Sequence, residues 1–195
     1  MTETTFDATK HEYTIEGRVV PGVTEILGDT GLRELFFDYE WYAEKGSKIH
    51  LACHYHNKGT LAWETVDPLI YGYVEAYLKF KRECNVEVLE SEYVCFNYIL
   101  LYGTTIDTIS ELDFMSQRGW AIVEIKSGAP QPSDALQTAG QILALRGSLT
   151  GWSKVNRRFV LYLKENGTYK LVENVDQADM LDFEAACRVY HRKRR

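Results

Sequence analysis

Two carboxylates and an ammonium stand out as groups that could do chemistry together. The run Val123-Glu124-Ile125-Lys126 alternates as a strand does. Residues two apart on a strand share a face, so Glu124 and Lys126 point one way while Val123 and Ile125 point the other. Upstream, Ile106-Asp107-Thr108-Ile109 sets an acid inside an otherwise apolar strand, where a buried carboxylate needs a partner or a metal. A hairpin through Ser116–Gly119 lays Asp107's strand beside that of Glu124 and brings all three groups to one end of a sheet. Hard oxygen ligands of this kind suit Mg²⁺ or Mn²⁺, and a nearby lysine would help where negative charge develops. An acid-x-basic pair on a strand is more often a solvated face. The apolar setting of Asp107 is what tilts the reading toward a site.

These groups need elements to hold them. His11–Ile15 and Arg18–Val20 flank Glu16-Gly17 and read as a short hairpin ended by Pro21-Gly22, with a short helix at Val23–Leu27. A longer helix is predicted from about Tyr39 to Asn57, with Trp41, Tyr42, Ile49, Leu51 and Cys53 among its apolar positions. In the next helix Asp67 is placed to cap, Pro68 suits the first turn, and Lys79, Lys81 and Arg82 complement the dipole at the end. The period then changes to that of strands, at Val86–Phe96, Gly103–Phe114 and Trp120–Ser127. A helix capped by Ser133 runs to about Arg146, a second hairpin pairs Arg158–Leu163 with Tyr169–Val172, and a last helix runs from about Ala178 into a basic tail, 186–195. This order implies one domain over 1–195, of α/β or α+β class, with a central mixed sheet flanked by helices.

Composition removes several function classes. The 195 residues are 45% hydrophobic and 26% charged, ordinary for a globular protein and against disorder. No apolar run approaches the ~20 residues that span a bilayer, and the amino terminus shows no secretory pattern, so the expected compartment is the cytoplasm. Cys53, Cys84, Cys95 and Cys187 form no Cys-x-x-Cys pair, which leaves a zinc ribbon or an all-cysteine iron–sulfur cluster without support. A net charge of −6 argues against sequence-independent coating of nucleic acid, though not against a local basic groove. The charge is unevenly spread. Six acids lie in the first thirty residues, whereas Arg188, Arg192, Lys193, Arg194 and Arg195 crowd the last eight.

With these motifs in order, the chain resembles a PD-(D/E)XK nuclease of the RecB-like, phage exonuclease group. Tyr102-Gly-Thr-Thr-Ile-Asp107 resembles the strand that supplies the first metal ligand, and Glu124-Ile125-Lys126-Ser127-Gly128 the strand end with the second acid and the lysine. Gln137-Thr138-Ala139-Gly140-Gln141 resembles Gln-x-x-x-Tyr on the following helix, and Gly46-Ser47-Lys48-Ile49-His50 resembles Gly-x-x-x-His upstream. The segment from His11 to Leu27 is similar to the opening of phage members. The resemblance implies a restriction-endonuclease-like core and a Mg²⁺- or Mn²⁺-dependent deoxyribonuclease, an exonuclease of phage-type recombination or repair. It implies His50, Asp107, Glu124 and the Ile125 carbonyl as metal ligands and Lys126 as the catalytic lysine. Gln137 would hold the site or contact substrate, and Glu92 matches an acid that precedes the aspartate strand. The implied partners are single- or double-stranded DNA and a recombination or replication protein, with no iron–sulfur cluster. Two positions depart from the pattern: Thr104 stands where many members have glycine, and Gln141 replaces tyrosine, which would weaken substrate contact.

Other readings stay open on the residues alone. His50, Cys53 and His54 on one helix would suit a zinc hydrolase. A non-catalytic nucleic-acid-binding or adaptor protein could use the same fold. The basic tail would either complement a helix dipole or hold DNA phosphates. Trp41, Tyr42, Tyr71, Tyr73 and Tyr77 suit base stacking or, more simply, a core.

Overall fold

A computed structural model describes residues 3–33, 39–148 and 151–195. Strands β1 (Thr4–Asp7), β2 (Glu12–Ile15) and β3 (Arg18–Val20) form an antiparallel meander. The expected hairpin thus gains a third strand, which pairs its Phe6 with Tyr13. Helices α1 (Val23–Asp29), α2 (Tyr39–Asn57) and α3 (Tyr71–Glu83) follow. Asp67 does cap, accepting a hydrogen bond from the Leu69 N–H at 3.0 Å, but what it opens is a 3-10 turn at Pro68–Ile70 that leads into α3.

Five strands make the central sheet, in the order β4-β5-β6-β7-β8. They are β4 (Glu87–Asn97), β5 (Tyr102–Phe114), β6 (Gln117–Lys126), β7 (Arg157–Leu163) and β8 (Tyr169–Glu173). Only β6 and β7 run parallel, as they must with α4 (Pro132–Gly147) carrying the chain between them. The mixed sheet flanked by helices is the α+β architecture the sequence implies. Two local expectations give way. The β5–β6 turn is the pair Met115-Ser116, both at positive φ (48° and 62°), not Ser116–Gly119, and Phe114 pairs with Gln117. A two-residue loop of this hand matches strand twist, so β6 starts three residues earlier than its apolar pattern suggests. Ser133 lies inside α4 rather than capping it. Pro132 opens the helix, and Asp134 accepts from the Gln131 N–H at 2.9 Å.

Each face of the sheet buries its own core. Val123, Ile125, Phe159 and Leu161 pack under α2 and α3 against Ile49, Cys53, Val74 and Tyr77. Ile106, Ile109 and Ile122 pack on the other side against Ala139 and Ile142 of α4, Phe183 of α5 (Ala178–Lys193) and Ile26 of α1. Gly140 of α4 fits tightly here, since a Cβ would lie 2.7 Å from the Phe183 ring. The meander seals a third cluster of Tyr13, Ile15 and Val20 with Phe96. Tyr73 and Tyr77 are therefore core residues, whereas Trp41 and Tyr71 are exposed and the Tyr42 side chain lies outside the described residues. Leu51, named among the apolar positions of its helix, is half exposed. No described helix is long and apolar enough to cross a membrane.

Candidate active site

The sheet opens where the chemistry gathers. The ladder between β5 and β6 begins at Thr108↔Val123, so within the sheet the earlier part of β5 pairs with β4 and the end of β6 with β7. Asp107 stands in this split. It is buried, and its Oδ2 accepts a hydrogen bond from the Ile125 N–H at 2.6 Å, replacing with a side chain the backbone partner that the diverging strand withdrew.

Helix α2 lies across the split and meets it at four-residue spacing. Gly46 faces Ser127 just past β6, with 4.0 Å between a would-be Cβ and the Ser127 Oγ. His50 places Nδ1 3.1 Å from Asp107 Oδ1, and His54 places Nδ1 2.9 Å from the Ser91 Oγ of β4. Residues four apart share a helix face, which is why one helix can address three successive strands.

Glu92 completes the group from β4. Its neighbours pair as Ser91↔Thr108 and Tyr93↔Ile106, which puts Glu92 opposite Asp107. Its backbone is left-handed, φ 56°, a strained state for a non-glycine strand residue that is typically held at functional sites. Ligand atoms of His50, Glu92 and Asp107 all lie within 4.8 Å of one another. Among the described residues this is the convergent set. Cys53 instead sits in the core under α2, its thiol pushed far up by burial, and His54 turns to Ser91, so neither joins His50.

Glu124 and Lys126 approach from the α4 face of β6. Glu124 is almost wholly buried and held on both oxygens: Gln137 Nε2 donates to Oε1 at 2.6 Å and Gln141 Nε2 to Oε2 at 2.6 Å. Lys126 Nζ lies 3.0 Å from Glu124 Oε1 and donates to Gln137 Oε1 at 2.7 Å. Gln141 also donates to the Thr105 carbonyl at 3.2 Å, and Thr105 Oγ1 is 2.9 Å from the Tyr13 hydroxyl. A hydrogen-bonded line thus runs from the amino-terminal meander to Glu124. Gln141 Oε1 is buried with no partner among the described residues. Asp134, Gln137 and Gln141 share one helix face as their spacing predicts, but the stripe is buried on the sheet rather than presented to solvent.

Electrostatics follow from this crowding. Partial desolvation in the cleft, then the charge of Asp107, raises Glu92, whose side chain still reaches solvent, to about 7. Burial with the same charge pushes Glu124 up as well. For His50, burial disfavours the charged ring, yet Asp107, Glu124 and Glu92 outweigh it and hold the imidazolium up to about 9. Three carboxylates around one histidine form a site short of positive charge. Nitrogen and hard oxygen donors in such a cluster are the chemistry of a divalent cation site.

The basic tail divides. Lys193 and Arg194 bind Asp29 at the end of α1, at 3.3 and 3.1 Å, and Arg188 pairs with Glu184 at 3.7 Å. Arg192 and Arg195 have no ion-pair partner among the described residues. Sequence reasoning assigned Glu92 no firm role and had no signal for its backbone strain. It also gave no sign of the Asp29 pairs, which span some 160 positions.

No protein-family model matches the chain, and a search of curated proteins returns no significant match. Among solved structures the chain is similar to an alkaline exonuclease (LHK-Exo) from Laribacter hongkongensis, at 13% identity over 88% of this chain and 86% of that one, with a TM-score of 0.47. LHK-Exo in complex with dAMP is similar at 13% identity over 89% of this chain and 87% of that one, with a TM-score of 0.41.

Proposed function

We propose that the chain is a divalent-metal-dependent deoxyribonuclease of the PD-(D/E)XK kind, acting on DNA ends as an exonuclease. The observation that supports it most is the split sheet: Asp107 sits in the gap with His50 and Glu92 on one side, and with Glu124 and Lys126 on the other strand. The donor set fits a hard divalent ion. Asp107 and Glu124 would hold it with the Ile125 carbonyl, His50 and Glu92 completing the shell. When bound, the ion supplies Lewis-acid activation of a water and charge neutralisation at the scissile phosphodiester.

The chain's own groups do the rest. Gln137 and Gln141 fix both oxygens of Glu124 in place. Lys126, steered by Gln137 Oε1, offers an ammonium where charge accumulates as water attacks phosphorus. The unpartnered Gln141 Oε1 is a ready acceptor for a proton of an ordered water. Gln141 therefore supports the site from within, a role different from the substrate contact its tyrosine counterpart suggests.

The test is cleavage of end-labelled linear and closed circular DNA, single- and double-stranded, with Mg²⁺, Mn²⁺ or EDTA, beside Lys126→Ala. Loss of linear DNA alone, abolished by EDTA and by the substitution, is the expected result. Cut circles would make the enzyme an endonuclease. Intact DNA under every metal, with the DNA retained in a gel shift, would replace the enzyme by a binding protein.

A further inference from the structure

The turn between β4 and β5 carries three consecutive apolar residues, Ile99-Leu100-Leu101, where turns are ordinarily polar. Ile99 is 89% exposed and Leu101 47%. The turn is firmly built. Asn97 Oδ1 accepts from the N–H groups of Ile99 at 3.1 Å and Leu100 at 2.8 Å, while Asn97 Nδ2 donates to the Leu143 carbonyl at 3.3 Å. Leu101 takes a left-handed backbone, φ 54°. From α5, the Cys187 thiol donates to the Leu100 carbonyl at 3.3 Å and His191 Nε2 lies 2.9 Å from it. Ordered structure therefore holds apolar side chains out toward water.

Beside this tip α5 sets Arg188 and Arg192 four apart on one face, and Arg195 follows just past the helix end. The shallow pocket between turn and helix is lined by all three with the turn residues, Cys187 and His191, and by no Asp or Glu. Of the three, only Arg188 has an ion-pair partner among the described residues, the half-buried Glu184. We propose that this pocket docks an acidic peptide segment of a partner protein, whose apolar side chains cover Ile99 and Leu101 while its carboxylates meet the three guanidinia. Arginine forks suit carboxylates, and apolar area beside them is the usual make-up of a peptide anchor. Nucleic acid fits less well, because the turn's lining is aliphatic and the one ring there, His191, is tied to the Leu100 carbonyl, whereas unpaired strands stack on open aromatic platforms. The pocket lies beyond Tyr102, at least five strand residues or about 17 Å from Asp107, so it is separate from the metal cluster and does not depend on that reading.

The experiment is fluorescence anisotropy of the full chain with a labelled decapeptide of alternating aspartate and leucine. A lysine–leucine peptide and a single-stranded oligonucleotide serve as competitors. Micromolar binding is expected, weakening with salt and falling about tenfold or more in each of Arg192→Glu and Ile99→Asp, with the urea midpoint of both variants unchanged. The proposal is overturned by no binding, by binding indifferent to both substitutions, or by displacement with the oligonucleotide, which would make the patch a nucleic-acid surface. Self-association abolished by the same substitutions would overturn it too, assigning the patch to a second copy.

Discussion

Asp107 uses one carboxylate for two tasks, closing the torn edge of the sheet through Ile125 and facing His50 with its other oxygen. Lys126 has a narrower position, its ammonium lying between Glu124 and Gln137. Lys126→Ala should therefore leave the fold intact and lower kcat by about 10²–10³, the scale for removing one group that stabilises transition-state charge. Circular dichroism and single-turnover cleavage check the two halves of that statement. Glu92 and His50 make a pH prediction. Both values lie above the ordinary 4.5 and 6.5, so the metal-free fold prefers each proton more than the unfolded chain does. Their contribution to stability is full below those ordinary values and is lost as pH rises through about 7 for Glu92 and about 9 for His50. A bound divalent ion selects the opposite forms, ionised Glu92 and neutral His50. Between pH 6 and 9 the metal-free melting temperature should fall while the increment from added Mn²⁺ grows, and Glu92→Gln should remove the lower part of both trends. Flat profiles for both would contradict the arrangement.

Helix α4 is built to hold a carboxylate rather than to meet solvent. Its Gln137 serves Glu124 as donor and Lys126 as acceptor, so Gln137→Leu strips a buried acid and a lysine of partners together. A cost of about 1–3 kcal/mol follows from leaving such a group unsatisfied, readable in urea unfolding of the metal-free protein. On the helix's other side Gly140 lets α5 approach, and Gly140→Ala would force its methyl into Phe183. Overpacking of this kind costs about 1–3 kcal/mol, and Phe183→Leu as a second change should recover part of it. The two substitutions differ in what they disturb: the first should shift the pH dependence of metal binding, the second only the unfolding midpoint.

At the scale of the molecule, periodicity and short-range chemistry were legible and long-range geometry was not. The alternation of β6 placed Glu124 and Lys126 on one face because a strand's period is local. The bounds of α2 were readable from Tyr39 to Asn57, and so was the approach of His50 to Asp107 through the resemblance. The parting of β5 and β6 was not, since it depends on which backbone groups find partners across the sheet rather than on any residue's own preference. The same reason hid the left-handed Glu92 and the clasp of Lys193 and Arg194 on Asp29. The Met115-Ser116 turn was missed differently, because neither residue carries the glycine or asparagine that usually marks positive φ.

The parted strands leave one amide in an unusual position. Ile125 N–H is protected from water by a side chain whose other oxygen faces His50, whereas its neighbours Ile122 and Val123 are secured within the β5–β6 ladder. Hydrogen exchange at this one nitrogen should therefore follow the state of Asp107 and not the global opening of the sheet. In Asp107→Asn the exchange should quicken at Ile125 while Ile122 and Val123 keep their protection. The molecule thus carries a spectroscopic gauge of its own centre, readable with no substrate present.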